Sequence, residues 1–246
     1  MAIAFINAAH YNNASSTSAV VSKPTNTADN DIMFAVITRN NTTAPTPPSG
    51  WALLGSQSEV SGVMDVWLYW KLAASEGASY TWSFGASAGR TGGTIVTYRG
   101  GFDTADPIDV VSNTVYTTSN TTVRAASMSA SAAGSALLIF PIFYASATRT
   151  YTKPSVPTTD WVEDVDAGSN QSRTWREVCS MTWASSGATG NMDATASASD
   201  VVKHAFAVAL NPMGRLQNNS DIVGFVDSSG RKMIYVRTPG SLQGAE

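Results

Sequence analysis

Charge and cysteine are the two things that this sequence has least of. Only 13% of its 246 residues are Asp, Glu, Lys or Arg, and Cys179 is the single cysteine. One cysteine excludes an intramolecular disulfide and a thiolate metal cage. With 15 basic and 18 acidic residues there is no basic footprint for nucleic acid or for an anionic membrane surface. We therefore expect neither nucleic acid nor a membrane as a partner.

Long apolar runs are also missing. The longest, 136–145, is about half the length of a membrane span and contains Pro141. The first residues, Met1 to Asn7, lack the basic segment that opens a secretory signal. The sequence therefore predicts a chain that is made in a cytoplasm and carries no span.

Residues suited to catalysis are few. His10 and His204 are the only imidazoles, and there is no Gly-x-Ser-x-Gly turn to expose a nucleophilic serine. His204 lies in an apolar strand, which indicates a structural histidine, whereas His10 lies in an Asn-rich segment interpreted as a solvated loop. Cys179 lies mid-strand and is interpreted as a small buried hydrophobe. We expect no enzymatic activity and no cofactor.

Two acidic stretches need separate interpretations. Asp103, Asp106 and Asp109 alternate with small residues, and loop carboxylates can bind calcium. Their spacing is not that of an EF-hand, and Asp-Pro is an ordinary turn former, so turn capping is favoured and calcium is the weaker alternative. Glu163 and Asp164 point to opposite faces of a strand, which excludes a glycosidase pair and indicates a solvated edge.

The composition favours strands. Ser, Thr, Ala, Asn and Gly replace the missing charges, and seven Trp, eight Tyr and eight Phe are available for a core. No segment of ten or more residues keeps a helical apolar stripe. The predicted strands are Ala2–Ala8, Ser18–Ser22, Asp31–Arg39, Trp51–Ser58, Met64–Lys71, Ser79–Phe84, Gly93–Arg99, Ile108–Thr114, Thr122–Ser127, Ala136–Tyr144, Trp161–Asp166, Thr174–Trp183, Met192–Ala196 and Val201–Leu210.

The two halves of this strand series match. Thr17 aligns with Thr121 at an offset of 104 (121 − 17), and Trp51 aligns with Trp161 at 110 (161 − 51). The segment that begins at Thr94 also aligns at 110, with His204. Seven short strands in each half predict an antiparallel β-sandwich. We predict two sandwich repeats, 1–106 and 107–212, packed against each other; one larger sandwich about a pseudo-twofold axis is the alternative.

The last segment, 213–246, has no counterpart in the first half. Asp221–Val226 and Lys232–Arg237 flank Asp-Ser-Ser-Gly at 227–230, which predicts a β-hairpin. A lone hairpin is marginal in water, so we expect it to make an assembly contact. Phe225 and Tyr235 are its candidate interface residues.

Aromatic side chains are the best candidates for binding a ligand. In Met64–Lys71, Trp67 and Tyr69 alternate with the residues interpreted as the core face. Together with Trp82 and Trp175 they could stack on sugar rings or line a protein interface if they were exposed. A place in the core is the favoured interpretation for tryptophans in a sandwich.

Several runs resemble a group of β-sandwich proteins encoded by tailed phages and prophages. They are Pro48-Ser-Gly-Trp-Ala-Leu-Leu-Gly, Tyr80-Thr-Trp-Ser-Phe, Tyr98-Arg-Gly-Gly-Phe-Asp-Thr-Ala-Asp-Pro-Ile-Asp and Ala205-Phe-Ala-Val-Ala-Leu-Asn-Pro. The resemblance covers about residues 15–212. It implies jelly-roll-like sandwiches and a non-enzymatic virion component that assembles in the host cytoplasm.

Two kinds of virion component are considered within that implication. A capsid decoration protein on the head surface is favoured, and a tail- or fibre-associated carbohydrate-binding module for receptor attachment is the alternative. The expected partners are other capsid or tail proteins, further copies of the chain and, for the alternative, glycans.

Overall fold

All regular structure in the described residues is β-strand. The computed structural model describes residues 3–40, 43–58, 63–86, 88–116, 120–145, 147–169, 171–200, 202–214, 222–226 and 232–236; the side chains of 115–116, 200 and the last two ranges lie outside the description. Within these ranges the chain contains no helix. The predicted all-β class is confirmed, and every strand predicted within 1–212 overlaps an observed one.

The strands are numbered in chain order. They are β1 (Ala4–Ser16), β2 (Ser18–Ser22), β3 (Ile32–Arg39), β4 (Ala52–Ser58), β5 (Asp65–Leu72), β6 (Ser79–Ser83), β7 (Gly89–Arg99), β8 (Ile108–Tyr116), β9 (Asn120–Ala125), β10 (Ser129–Ala130), β11 (Ser135–Tyr144), β12 (Tyr151–Thr152), β13 (Val162–Ser169), β14 (Thr174–Trp183), β15 (Gly187–Ala188), β16 (Met192–Asp200), β17 (Lys203–Leu210), β18 (Ile222–Val226) and β19 (Lys232–Val236).

Two five-stranded antiparallel sheets are the largest sheets among the described residues. The first has the order β1-β7-β3-β5-β4, and the second has the order β13-β14-β11-β17-β8. If the short strands β10, β12 and β15 are set aside, the second order read backwards repeats the first. Two smaller sheets, β2-β6 and β12-β16-β9, accompany them, and β10 pairs with β15.

Three hydrophobic cores separate these sheets. The central core lies between the two five-stranded sheets, where Phe34 of β3 meets Phe140 of β11 with ring centroids 5.6 Å apart. A first outer core joins the other face of the first sheet to β2 and β6. A second outer core joins the other face of the second sheet to β9 and β16.

Burial on both faces explains the long apolar runs. Every residue of β3 and every residue of β17 is buried. In β3, Ile32, Phe34 and Val36 face the central core, while Met33 and Ile37 face the first outer core. A strand that alternates between two cores has no polar face, because both of its sides are covered.

Two sequence expectations about strand faces are wrong. The alternation in Met64–Lys71 was expected to separate a core face from an open face, but Trp67 and Tyr69 are buried beneath β2 and β6. The first strand was expected to end at Ala8, but β1 continues to Ser16. His10 therefore lies in a strand, opposite Thr94, rather than in a loop.

The chain divides into two compact units, Met1–Met213 and Gly214–Glu246. In the second unit, β18 and β19 pair antiparallel, with Ile222 opposite Val236 and Val226 opposite Lys232. The predicted turn at 227–230 lies outside the described residues.

Candidate functional site

The aromatic side chains proposed as a ligand platform lie inside the protein. Trp82 is fully buried, and Trp67 and Tyr69 are nearly so. Trp51 packs edge-on against Trp82 with ring centroids 5.2 Å apart. The expectation that these rings could be exposed is corrected: the β2-β6 sheet covers them, so they form the first outer core instead of a surface for stacking sugars.

Trp175, the candidate ligand-binding residue of the second half, also lies inside the protein. Trp175 is buried in the second outer core. A Cβ atom built on Gly168 would lie 2.2 Å from the Trp175 ring, so the indole occupies the space left by the missing side chain. Phe225 and Tyr235 lie in β18 and β19, and their side chains are outside the described part of the chain.

The three aspartates considered for calcium serve separate partners. Asp103 accepts a hydrogen bond from the main-chain N–H of Ala105, and Asp109 accepts one from that of Ser131. The main-chain oxygen of Asp106 accepts a bond from the Asn211 side chain. Only the Asp103 contact is a local turn cap; those of Asp109 and Asp106 join residues 22 and 105 positions apart. Among the described residues there is no group of three or more His, Cys, Asp or Glu side chains placed to hold a metal ion.

The two residues that were interpreted as structural, His204 and Cys179, lie in the protein interior. His204 and Cys179 are both fully buried. Cys179 donates a hydrogen bond to the Glu177 carboxyl group, with an S···O distance of 3.2 Å. Burial raises the pKa of the Cys179 thiol, and the nearby Glu177 raises it further, so the reactive thiolate is disfavoured.

Buried polar contacts join the two halves of the first unit, and Arg176 is their centre. Arg176 extends from β14 of the second sheet into the central core and is fully buried. Its Nε donates to Thr94 Oγ1 on β7 at 2.8 Å, and its Nη2 donates to Asn12 Oδ1 on β1 at 2.8 Å. Burial lowers its pKa to about 10, so the guanidinium stays charged at neutral pH.

A glycine in the first sheet makes room for this arginine. A Cβ atom on Gly92 would lie 2.1 Å from Arg176 Nη1, 2.6 Å from Thr38 Oγ1 and 2.7 Å from Thr174 Oγ1. Atoms cannot approach so closely, so any other residue at position 92 would displace the guanidinium. The glycine and the arginine therefore form a matched pair across the central core.

Hydroxyl groups extend the network around the guanidinium. Thr38 Oγ1 and Thr174 Oγ1 are 3.1 Å apart across the interface. Ser172 donates to Asn12 at 2.7 Å, and the Arg176 guanidinium also donates to Thr174. We call Arg176, Asn12, Thr94, Thr38, Thr174 and Ser172 the Arg176 network. A buried charge requires such a set of acceptors, because without them it would lose its hydration uncompensated.

A second polar contact crosses the central core near another edge. The hydroxyl of Tyr98, a buried residue of β7, donates to Asp164 Oδ2 at 2.7 Å. The register of β13 shifts between Glu163 and Val165, at the position of Asp164. Asp164 is half-buried, and burial raises its pKa while bonds from Ser180 and Tyr98 oppose the rise. The expectation of a solvated edge is therefore wrong for Asp164.

Glu177 is a buried acid whose pKa is strongly raised. It is fully buried and lies opposite Asp166 on β13. Burial raises its pKa to about 8; the Cys179 hydrogen bond opposes the rise, and Glu163 and Asp166 add to it. Its Oε2 has no hydrogen-bond partner among the described residues. Glu177 is therefore protonated at neutral pH, which reduces the cost of burying it.

Sequence reasoning missed the Arg176 network, although one signal was present. Gly92 and Gly93 are adjacent within β7, and a glycine within a strand often marks the close approach of another group. Nothing in the sequence connects this pair to Arg176, which is 84 positions away (176 − 92).

Comparison with known proteins finds no counterpart. No protein-family model, no curated protein and no solved structure matches the chain. Among the described residues, no helix has the length and hydrophobicity needed to cross a bilayer.

Proposed function

We propose that the chain is a non-enzymatic structural protein of a phage virion, and that it decorates the capsid surface. The observation that carries the proposal is the separate C-terminal unit, whose β18 and β19 pair only with each other among the described strands. A two-stranded hairpin is marginal in water, so it gains stability by docking on a neighbouring protein. A hairpin at the end of a stable scaffold is a natural way to attach one subunit to another by strand addition.

The use of the buried polar groups also supports a structural role. The Arg176 network and the Tyr98–Asp164 contact join the two five-stranded sheets across the central core. Cys179 and Glu177 are held in their uncharged forms within a strand. Buried polar networks of this kind make a scaffold rigid. Their polar and titratable side chains are used in packing contacts within the protein.

We also infer that residues 1–106 and 107–212 are two duplicated, jelly-roll-like sandwiches packed through their five-stranded sheets. The strand pairing supports this inference. Ala52 faces Trp70, and Val162 faces Ser180, which is an offset of 110 on both strands (162 − 52 and 180 − 70). Ala19 faces Trp82, and Val123 faces Ala194, which gives offsets of 104 (123 − 19) and 112 (194 − 82).

The same register refines the alignment of the closing strands. Thr38 faces Gly92 in the first half, and Ile142 faces His204 in the second. The offset for the closing strand is therefore 112 (204 − 92). On this inference His204 is the counterpart of Gly92, and the expected alignment of His204 with Thr94 is shifted by two residues.

The carbohydrate-binding alternative has lost the residues on which it depended. Trp67, Tyr69, Trp82 and Trp175 are buried. A glycan-binding surface on this chain would need other aromatic side chains. We therefore retain the decoration protein as the single proposal.

Purified particles from the phage or prophage that encodes the chain provide the test. We expect the protein to co-sediment with particles and a specific antibody to label heads in negative stain. Labelling confined to tails would overturn the decoration role, and absence from particles would overturn the virion assignment. A variant lacking 220–246 should fail to incorporate, whereas a control lacking only 238–246 keeps both strands and should incorporate normally. Normal incorporation of the larger deletion would rule out docking through the hairpin.

A further inference from the structure

A buried lysine in the second half lies against an asparagine side chain. Lys203, the first residue of β17, is fully buried. Its Nζ donates to Asn120 Oδ1 at 2.6 Å and to the main-chain oxygen of Asn120 at 2.9 Å. Asn120 is the first residue of β9, which belongs to the three-stranded sheet, whereas β17 belongs to the five-stranded sheet. The contact therefore bridges two sheets.

The surroundings of Lys203 are apolar on the side of the core. Lys203 lies opposite Phe143 on β11, and Phe143 is fully buried in the second outer core. Lys203 alternates in step with Ala205 and Ala207, which line the same core. The neutral amine is the nucleophilic form of lysine, so the proposed reaction proceeds through that form.

We propose that Lys203 and Asn120 join in an intramolecular isopeptide bond. The Lys203 amine nitrogen attacks the side-chain carbonyl carbon Cγ of Asn120, and a new N–C bond forms. The bond from Cγ to the Asn120 amide nitrogen breaks, one proton passes from the attacking nitrogen to the leaving nitrogen, and one ammonia is released. No oxidant, reductant or co-reactant is consumed. Holding the two groups in contact supplies the proximity that the reaction needs.

The bond would act as a covalent tie between the layers of the second half. It would link residues 120 and 203 and so enclose the strands from β9 to β16 in a closed loop. A cross-link of this kind limits the unfolded chain in the way that a disulfide does, and this sequence has only one cysteine.

The mass of the intact, denatured full-length chain tests the proposal directly. We expect the purified protein to be lighter than its sequence mass by one ammonia. Proteolysis should release a branched peptide that contains both Asn120 and Lys203. A protein of unaltered mass after prolonged incubation in the folded state would overturn the proposal, and this result needs no variant.

Two variants separate the isopeptide from cyclisation of Asn120 alone, which also releases ammonia. Lys203→Arg abolishes the proposed reaction and should restore the full sequence mass, whereas cyclisation of Asn120 would persist in that variant and overturn the proposal. Lys153→Arg is the matched control, because Lys153 Nζ donates to the main-chain oxygen of Trp161 and contacts no side-chain amide there. It should keep the lower mass.

Discussion

Replacing Gly92 by alanine should strongly destabilise the protein, because it removes the space that the Arg176 guanidinium occupies. The added methyl carbon would lie 2.1 Å from Arg176 Nη1 and within 2.7 Å of two threonine hydroxyls. Those hydroxyls belong to Thr38 and Thr174, and both lie on packed strands of opposite sheets. The guanidinium is the group that must move, and moving it breaks its bonds to Asn12 and Thr94.

The expected magnitude follows from the partners that are lost. Leaving a buried charge without its partners costs about 3–5 kcal/mol. Natural domains are stable by only about 5–15 kcal/mol, so Gly92→Ala should remove a large part of the total. A loss of this size corresponds to a fall in Tm of about 6–20 °C for a chain of this length.

Differential scanning calorimetry at neutral pH measures this fall. Gly77→Ala is the matched control, because a Cβ atom at Gly77 meets nothing within 4 Å. A Tm for Gly92→Ala equal to that of Gly77→Ala would refute the reasoning. Combining Gly92→Ala with Arg176→Met should cost less than the sum of the two single changes, since both act on the same contact; strict additivity would show that the two residues do not interact.

Three further predictions concern other buried groups. Glu177 has a folded pKa of about 8 against an ordinary 4.5, so it contributes stability that is fully present below pH 4.5 and lost as the pH rises through 8. Glu177→Gln should therefore be more stable than the native protein near pH 9, by up to about 5 kcal/mol in urea unfolding; parallel pH profiles would contradict this. Trp82→Ala should cost about 3–5 kcal/mol in the same assay, clearly more than Trp183→Ala at a half-buried position. Tyr98→Phe removes the donor to Asp164 and should cost about 1–3 kcal/mol; an unchanged urea midpoint would show that this contact does not join the halves.

The strands could be predicted from the sequence because their signals are local. The apolar runs at Ile32–Ile37 and Ala136–Phe143 are bounded by turn formers, and both are strands. The same runs carried a further signal, since a continuous apolar strand indicates cover on both faces. In Met64–Lys71 the cover on both faces could not be recognised from the sequence. Asp65 and Lys71 lie on one face of this segment, and their charges indicated that this face was open to solvent.

The contacts between the halves could not be predicted, because they depend on how distant strands meet. Asp164 turns inward through a register shift in β13, which no residue pattern announces. Two of the acceptors of Arg176, Thr94 and Asn12, lie more than 80 positions away in the chain. The hypothesis that aromatic side chains form a ligand-binding surface was wrong for a related reason. Whether Trp67 or Trp82 is exposed depends on where β2 and β6 pack.

The two sheets that face the central core differ, because the first has a gap at Gly92 and the second has the Arg176 side chain that fills it. This difference affects how molecules associate at high concentration. If the two halves are duplicates, as proposed, the first-half sheet of one molecule can meet the first-half sheet of another in place of a second-half sheet. Such a pairing would leave the gap at Gly92 unfilled, and a pairing of two second-half sheets would bring Arg176 against the position of His204 instead of Gly92. Both mismatches leave a cavity or a buried cation without acceptors. The arginine therefore favours packing of the first-half sheet on a second-half sheet over packing of two like sheets.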